Sequence, residues 1–272
     1  MDIKAIIDNK KFIPDHLKDQ FFLIDNSVID DLVNFAEVDK DDVVLEIGAG
    51  FGNLTREIAK CAKKVIAFEI DKSFKPYLKN LPKNVELHFE DAWDYVKLHG
   101  KFKKKKAYNK VVSNLPYSFC EKFLHNLTFL EYDKVVLLVP LKFVNKIKEN
   151  GIFSSFFECN LKEIVAKDKF YPVPRTNSAV INLLKLKDPL GEKNLSLFLR
   201  QYIYQHERQK VKNSIKEGLI IFAKRAYSKS LTKNEARKFI TGAKLENSLL
   251  DEAPNSNEVY AKISDKFTQN LI

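Results

Sequence analysis

The sequence predicts an α/β fold, a doubly wound and mostly parallel sheet followed by a small all-helical carboxy-terminal domain. Apolar runs at Val43–Leu45, Val65–Phe68, Val85–Phe89, Lys110–Ser113 and Lys134–Val139 are separated by stretches of helical periodicity, the alternation expected of parallel strands joined by helices. The first run, Val43-Val-Leu45, has no polar alternation and reads as a strand buried on both faces. After a Lys187-Asp-Pro-Leu-Gly191 linker the strand pattern stops. Apolar residues then recur only at helical spacing, at Leu195, Phe198, Leu199, Tyr202 and Ile203 and again at Val211, Ile215, Leu219 and Phe222. The expected division is therefore 1–187 and 188–272.

A chain of 272 residues with 45% hydrophobic content can bury a core of that size. No apolar stretch approaches the ~18 residues of a membrane span, and Met1-Asp-Ile-Lys4 does not open a signal peptide, so a soluble cytoplasmic protein is expected. Cys61, Cys120 and Cys159 are far apart, without C-x-x-C spacing or histidine company, and are expected to be free thiols with neither zinc nor disulfide. In chain order, Asn26 or Ser27 should cap a helix ending near Ala36. Asp39–Asp42 turns into the first strand, and a helix interrupted at Pro76 should cover Lys72–Asn80. Asp94–His99 reads as a connection, Ser118–Leu130 and Lys142–Glu149 as helices, and Leu161–Ala166 and Ser178–Lys185 as two late strands.

The chemistry is concentrated at strand ends. The first strand runs into Glu46-Ile-Gly48-Ala-Gly50-Phe-Gly52, three glycines in five residues of a chain that has 8, and Asn53-Leu54-Thr55 then opens a helix. The second strand ends in Glu69, which can accept hydrogen bonds from ribose hydroxyls, and the third in Glu90-Asp91, where Asp91 can accept from an adenine amine. The G-x-G-x-G spacing lacks the G-x-x-G that carries a helix to a pyrophosphate, so a nucleoside-type ligand fits better than a dinucleotide, and S-adenosyl-L-methionine is the obvious candidate. The fourth strand ends in Asn114-Leu115-Pro116-Tyr117. An exocyclic aromatic amine is a weak nucleophile because its lone pair is delocalised. The Asn114 side-chain oxygen and the Leu115 carbonyl can accept its two hydrogens and redirect that lone pair, Pro116 fixes the backbone, and Tyr117 offers a stacking face.

On these motifs the chain resembles the KsgA-type rRNA adenine dimethyltransferases, as a divergent and archaeal-looking member. Glu46–Thr55 is similar to the family's first motif, Asn114–Tyr117 to its N-L-P-Y, and Phe170–Val180 to its F-x-P-x-P-x-V-x-S-A-V segment, over about residues 17–220. The resemblance implies a Rossmann-like methyltransferase sheet binding S-adenosyl-L-methionine. It implies dimethylation of two adjacent adenosines in a hairpin loop near the 3′ end of small-subunit rRNA, in an immature ribosomal particle. It further implies that Phe170 stacks on the adenine opposite Tyr117, and that Gln20 and Leu23 line the cofactor's methionine end beside Glu46, Gly48, Gly50 and Gly52. The amino-terminal 25 residues would then close over the cofactor as an ordered arm, and the helical domain would dock RNA through Gln205–Lys210. Three departures touch substrate handling. L-G-Q-N-F-L becomes Lys18-Asp-Gln-Phe-Phe-Leu23, I-S-x-P becomes Phe119-Cys-Glu-Lys122, and Q-x-E becomes Pro140-Leu-Lys142.

A net charge of +10 suits a polyanionic partner, and five lysines in Lys101–Lys106 lie just before the strand that carries the tetrad. The five histidines show no metal-ligand spacing, and no metal is expected. A monomer is expected. The other readings are an amine methyltransferase for a different RNA, DNA or protein, and a non-catalytic ribosome-assembly factor on the same fold. Phe170 and the basic helical domain favour nucleic acid.

Overall fold

A computed structural model describes residues 2–96, 107–149 and 152–251, with Tyr260, Lys262, Ile263, Lys266 and Phe267. The lysine run at 101–106 and the second half of the Asp94–His99 segment lie outside the described residues. Two compact units are present, one of residues 1–146 and 159–184, the other of 147–158 and 185–272. Segment 147–158 thus groups with the carboxy-terminal helices.

In the first unit, strands β2 (Val43–Ile47), β3 (Lys64–Phe68), β4 (Val85–His88), β5 (Lys110–Asn114), β6 (Lys134–Pro140), β7 (Phe157–Val165) and β9 (Ser178–Lys185) make a sheet of order β4-β3-β2-β5-β6-β9-β7, the first two residues of β7 and the last of β9 counting with the other unit. Pairing is parallel from β4 through β6, and β9 runs antiparallel to β6. From β2 the chain winds outward in two directions, to β3 on one side and β5 on the other, so a crevice opens at the carboxyl ends of β2 and β5. Ser113 Oγ donates to the Ile47 carbonyl at 2.7 Å and ties those two ends together.

The strand core is aliphatic: Val44, Val65, Val112, Val136 and Leu138 are buried beneath α2 (Asn26–Ala36) and α3 (Asn53–Cys61). Ile29 and Leu32 of α2 and Ile58 of α3 supply the facing stripe. The cap of α2 is Asp25, whose carboxylate accepts from Ser27 N–H at 3.0 Å and Val28 N–H at 3.4 Å, so the helix starts one residue earlier than an Asn26 cap predicts. Lys72–Phe74 makes one 3-10 turn and no helix, because Pro76 has no N–H to continue it. Residues 92–96 are helical (α4), started by Asp91, which accepts from Trp93 N–H at 2.9 Å, so the described part of the expected Asp94–His99 connection is helix; α5 (Cys120–Leu127) and α6 (Leu141–Glu149) follow later in the chain. Strand β7 begins four residues before the expected Leu161.

The arm contains a short helix, α1 (Ile3–Asp8), that sequence periodicity did not indicate. What holds the arm is a second core of Ile3, Phe12, Phe51, Phe74 and Leu78. Phe12 lies 4.7 Å from Phe74, 5.1 Å from Phe51 and 5.8 Å from Phe22, ring centre to ring centre. A two-stranded ribbon, β1 (Phe22–Leu23) against β8 (Phe170–Tyr171), closes the unit.

The second unit packs α7 (Leu195–Gln205), α8 (Val211–Tyr227), α9 (Lys233–Gly242) and α10 (Asn247–Asp251). Gly218 of α8 admits Leu199, whose Cδ2 would lie 2.7 Å from any Cβ there. Gln205–Lys210 joins α7 to α8. Among the described residues no helix is long and apolar enough to cross a membrane.

Phe12→Ala removes the centre of the arm's aromatic cluster. We expect a loss of about 3–5 kcal/mol, read as a lower midpoint in chemical denaturation, with faster proteolysis of the first twenty residues than of the sheet.

Candidate active site

The crevice at the carboxyl ends of β2 and β5 is a cavity of about 390 Å³, within the ~300–1,000 Å³ typical of small-molecule sites. Its walls are the arm at Lys18–Phe22, the turn after β2, the ends of β3 and β4, and the tetrad after β5. Of the residues expected from the sequence, Gln20, Gly48, Gly50, Glu69, Asp91, Asn114, Leu115, Pro116, Tyr117 and Phe170 all line it. Leu23, Glu46 and Gly52 stand outside the lining.

The glycines do different jobs. Gly48, at φ +81°, faces Pro116, whose Cγ would sit 3.3 Å from an added Cβ, so glycine lets the tetrad close on the turn. Gly52, at φ +78°, is the N-cap of α3, and a Cβ there would meet Leu78 Cδ2 at 2.7 Å. Gly50 turns its N–H toward Glu69 Oε2 at 2.7 Å. The other Glu69 oxygen accepts from Asp71 N–H at 2.8 Å. Burial pushes the Glu69 carboxyl above its ordinary value, and these backbone donors pull it back.

Glu46 lies behind the turn at 1% exposure, and its Oε2 has no hydrogen-bond partner. Burial pushes its carboxyl up to about 8, opposed by the Thr55 hydroxyl and the Arg56 guanidinium. Gln20 is held at both ends: Oε1 accepts from Asp15 N–H at 2.7 Å and Nε2 donates to Asp71 Oδ2 at 3.0 Å. Asp71 also takes a 2.9 Å ion pair from Lys18. Burial works to raise its carboxyl, but the hydrogen bonds from Lys18, Ser73 and Gln20 hold it well below the usual range. The sequence reading overlooked Asp71, although its position two residues beyond Glu69 at a strand end was a usable signal.

At the tetrad, Leu115 N–H donates to the Leu138 carbonyl at 3.1 Å, and Tyr117 OH is 3.1 Å from Ser178 Oγ. Burial keeps Tyr117 a neutral phenol, and Cys120 is pushed up to about 12, so neither is a base or nucleophile near neutral pH. Among the described residues the Asn114 side chain makes no hydrogen bond, although it is half-buried. Phe170 is 1% exposed and belongs to the main core, presenting little of its ring. The ring found parallel to Tyr117 is Phe21, at 6.2 Å and 26°.

The arm departure is accommodated. Asp19 stands where the family pattern has glycine and adopts φ 54°, a left-handed conformation that Asp tolerates better than most side chains. Its Oδ2 accepts from Ser118 N–H at 2.8 Å, beside Tyr117. Among the described residues no cluster of His, Cys, Asp or Glu could hold a metal ion.

Residues 17–238 match the family model for ribosomal RNA adenine dimethylase. The chain belongs to that family. Similar proteins include the probable ribosomal RNA small subunit methyltransferase A of Pyrococcus abyssi, 35% identical over 73% of this chain and 74% of the relative. The ribosomal RNA small subunit methyltransferase A of Mycoplasmopsis synoviae is 34% identical over 71% of this chain and 78% of its own. The fold is shared with a dimethyladenosine transferase from Plasmodium falciparum (TM-score 0.57, 18% identity, 89% of this chain and 95% of that one). It is shared also with the 23S rRNA methyltransferase ErmE (TM-score 0.52, 19% identity, 90% and 98%).

The buried Glu46 gives the dimethylase a pH signature. Its folded carboxyl holds a proton more tightly than the unfolded one, so stability is fullest below the ordinary value of 4.5 and falls as pH rises toward about 8. Glu46→Gln keeps the shape and removes the ionisation. Unfolding free energies measured across that range should fall for the parent by on the order of a few kcal/mol and by much less for the variant, which keeps only the smaller contribution of the raised Glu69.

Proposed function

We propose that this protein dimethylates the exocyclic amine of two adjacent adenosines in a hairpin loop near the 3′ end of small-subunit rRNA. The methyl donor is S-adenosyl-L-methionine. The reading has the protein acting as a cytoplasmic monomer on an immature ribosomal particle. The observation that carries it is the half-buried Asn114 amide, without a hydrogen bond among the described residues, in a switch-point cavity beside Tyr117.

The residues present fit the cofactor. Glu69 accepts one backbone N–H on each oxygen and keeps a lone pair on each for ribose hydroxyls. Asp91 uses Oδ1 to start α4, leaving Oδ2 for an adenine amine. The buried Glu46 Oε2, without a hydrogen-bond partner, leaves an unused acceptor behind the turn. Gln20, Gly48 and Gly50 line the space between. When bound, the cofactor supplies an electrophilic sulfonium methyl.

The protein's own part is to prepare the nucleophile. Asn114 Oδ1 and the Leu115 carbonyl accept the two amine hydrogens, draw the nitrogen toward tetrahedral geometry and aim its lone pair into the cavity. Pro116, fixed at φ −54°, holds that carbonyl in place. The alkylated amine is acidic and gives its proton to water, so the raised Tyr117 and Cys120 need take no part. The target must be splayed from its helix to reach Asn114, which suits a single-stranded loop. We assign RNA docking to the carboxy-terminal helices and their Gln205–Lys210 connection, where the exposed Arg208 can meet a phosphate and Lys210, 3.9 Å from Asp251, can exchange that partner for one.

The test is transfer of labelled methyl from S-adenosyl-L-methionine to unmodified small ribosomal subunits, followed by nucleoside analysis. Dimethyladenosine is expected, with Asn114→Ala slower by about 10²–10³-fold, as for other preorganised polar groups. Cofactor binding without methylated adenosine would sink the reading and leave an assembly factor.

A further inference from the structure

A flat base held by Tyr117 has a second face to cover, and the structure offers a ring for it. We propose that Phe21 is that second face, so that the target adenine lies between the rings of Phe21 and Tyr117. The inference rests on the methyltransferase reading above and names a substrate contact within that same site. Phe21 lines the cavity and runs parallel to Tyr117, with centres 6.2 Å apart and 26° between the planes. Direct aromatic pairs span ~4.5–7 Å, so this pair is near the loose end of contact. A base touching both rings would hold them about 7–8 Å apart, twice the optimal carbon separation. The slot therefore needs to widen by about 1–2 Å.

The backbone fixes where Phe21 points. Phe22 and Leu23 pair with β8, Phe22 turns into the arm's aromatic cluster and Leu23 into the sheet core. Phe21, one residue earlier, faces the tetrad. Asp19 closes the circuit: its carbonyl accepts from Phe21 N–H at 2.9 Å, and its carboxylate accepts from Ser118 N–H at 2.8 Å, one residue past Tyr117. One side-chain hydrogen bond across the cavity mouth thus ties the segment that carries Phe21 to the segment that carries Tyr117. Asp19 is the positioning residue for this slot. Gln20 between them is tied to Asp15 and Asp71, which anchors the same stretch to the cofactor side. The two departures in the arm are coupled on this view, Asp19 tying the segments together and Phe21 supplying the ring.

Phe21 also packs on the main core, so its bulk has to be separated from its ring. Phe21→Leu keeps an apolar side chain and removes the aromatic face, and Phe21→Tyr restores the face. The measurements are the affinity for S-adenosylhomocysteine by calorimetry, and kcat and KM for methyl transfer to unmodified small subunits. Phe21→Leu is expected to bind S-adenosylhomocysteine within about twofold of the parent and to lose on the order of 5- to 100-fold in kcat/KM for the subunit, the size of one base stack. Phe21→Tyr is expected to recover most of that loss. Parent-like kinetics for Phe21→Leu would overturn the slot while leaving the methyltransferase intact. A collapse of S-adenosylhomocysteine affinity in Phe21→Leu would overturn it too, by assigning Phe21 to the cofactor. If the parent itself methylates no adenosine, the broader reading has failed, and the proposed base slot fails with it.

Discussion

The close approach of Pro116 to Gly48 is the constraint on which the site depends. Strands β2 and β5 are neighbours at the point where the sheet reverses its winding, and the segment after each strand has to turn away without colliding with the other. A side chain at position 48 would press on the proline ring at 3.3 Å from a backbone already at positive φ. Glycine there allows the β2 turn and the N-L-P-Y segment to share one wall. The Ser113–Ile47 hydrogen bond sets the separation of the strands from below. Two motifs 66 residues apart thereby become one site.

Electrostatics follow from that geometry. Closing the turn over β2 puts Glu46 out of reach of water, and closing it against β3 puts Glu69 under two backbone N–H donors. The two carboxylates resist burial differently, one largely by holding its proton and the other with the help of hydrogen bonds. Chemistry that activates an amine by hydrogen bonding, with no strong base, suits such a site, where the nearby phenol and thiol are both raised by burial.

The strands were legible because burial on both faces demands uninterrupted Val, Ile and Leu, and the glycine turn because positive φ leaves few other choices. The tetrad was legible because Asn-Leu-Pro-Tyr at a strand end has an amide, a fixed carbonyl and a ring in four residues. What the sequence hid was contact across distance. Phe12, Phe22, Phe51 and Phe74 carry no periodicity, since each lies on a different element, yet together they hold the arm. The Asp25 cap was hidden by two adjacent residues that also cap well. Leu23, Glu46 and Gly52 were grouped with the lining because a motif is linear, whereas a cavity wall is only one residue deep. A buried side chain behind that wall can shape its potential without touching a ligand.

The amino-terminal arm shows how a departure from a family pattern can preserve geometry and alter chemistry. Glycine at position 19 would reach left-handed φ freely. Aspartate reaches it at some cost in conformational energy, offset by the hydrogen bond to Ser118 that glycine lacks. The backbone path is therefore kept while a new link to the tetrad is gained. The neighbouring exchange of a polar residue for Phe21 would on its own add an apolar group at the cavity mouth. Joined to Asp19, it becomes a ring on a segment tied to the tetrad beside Tyr117. Phe170, by contrast, is buried in the core beneath the ribbon it shares with Leu23, at the edge of the same cavity. A pocket that recognises a flat base needs two apolar faces and one polar edge. The arm lines the open side of the crevice, and Phe21 is the ring it sets beside Tyr117.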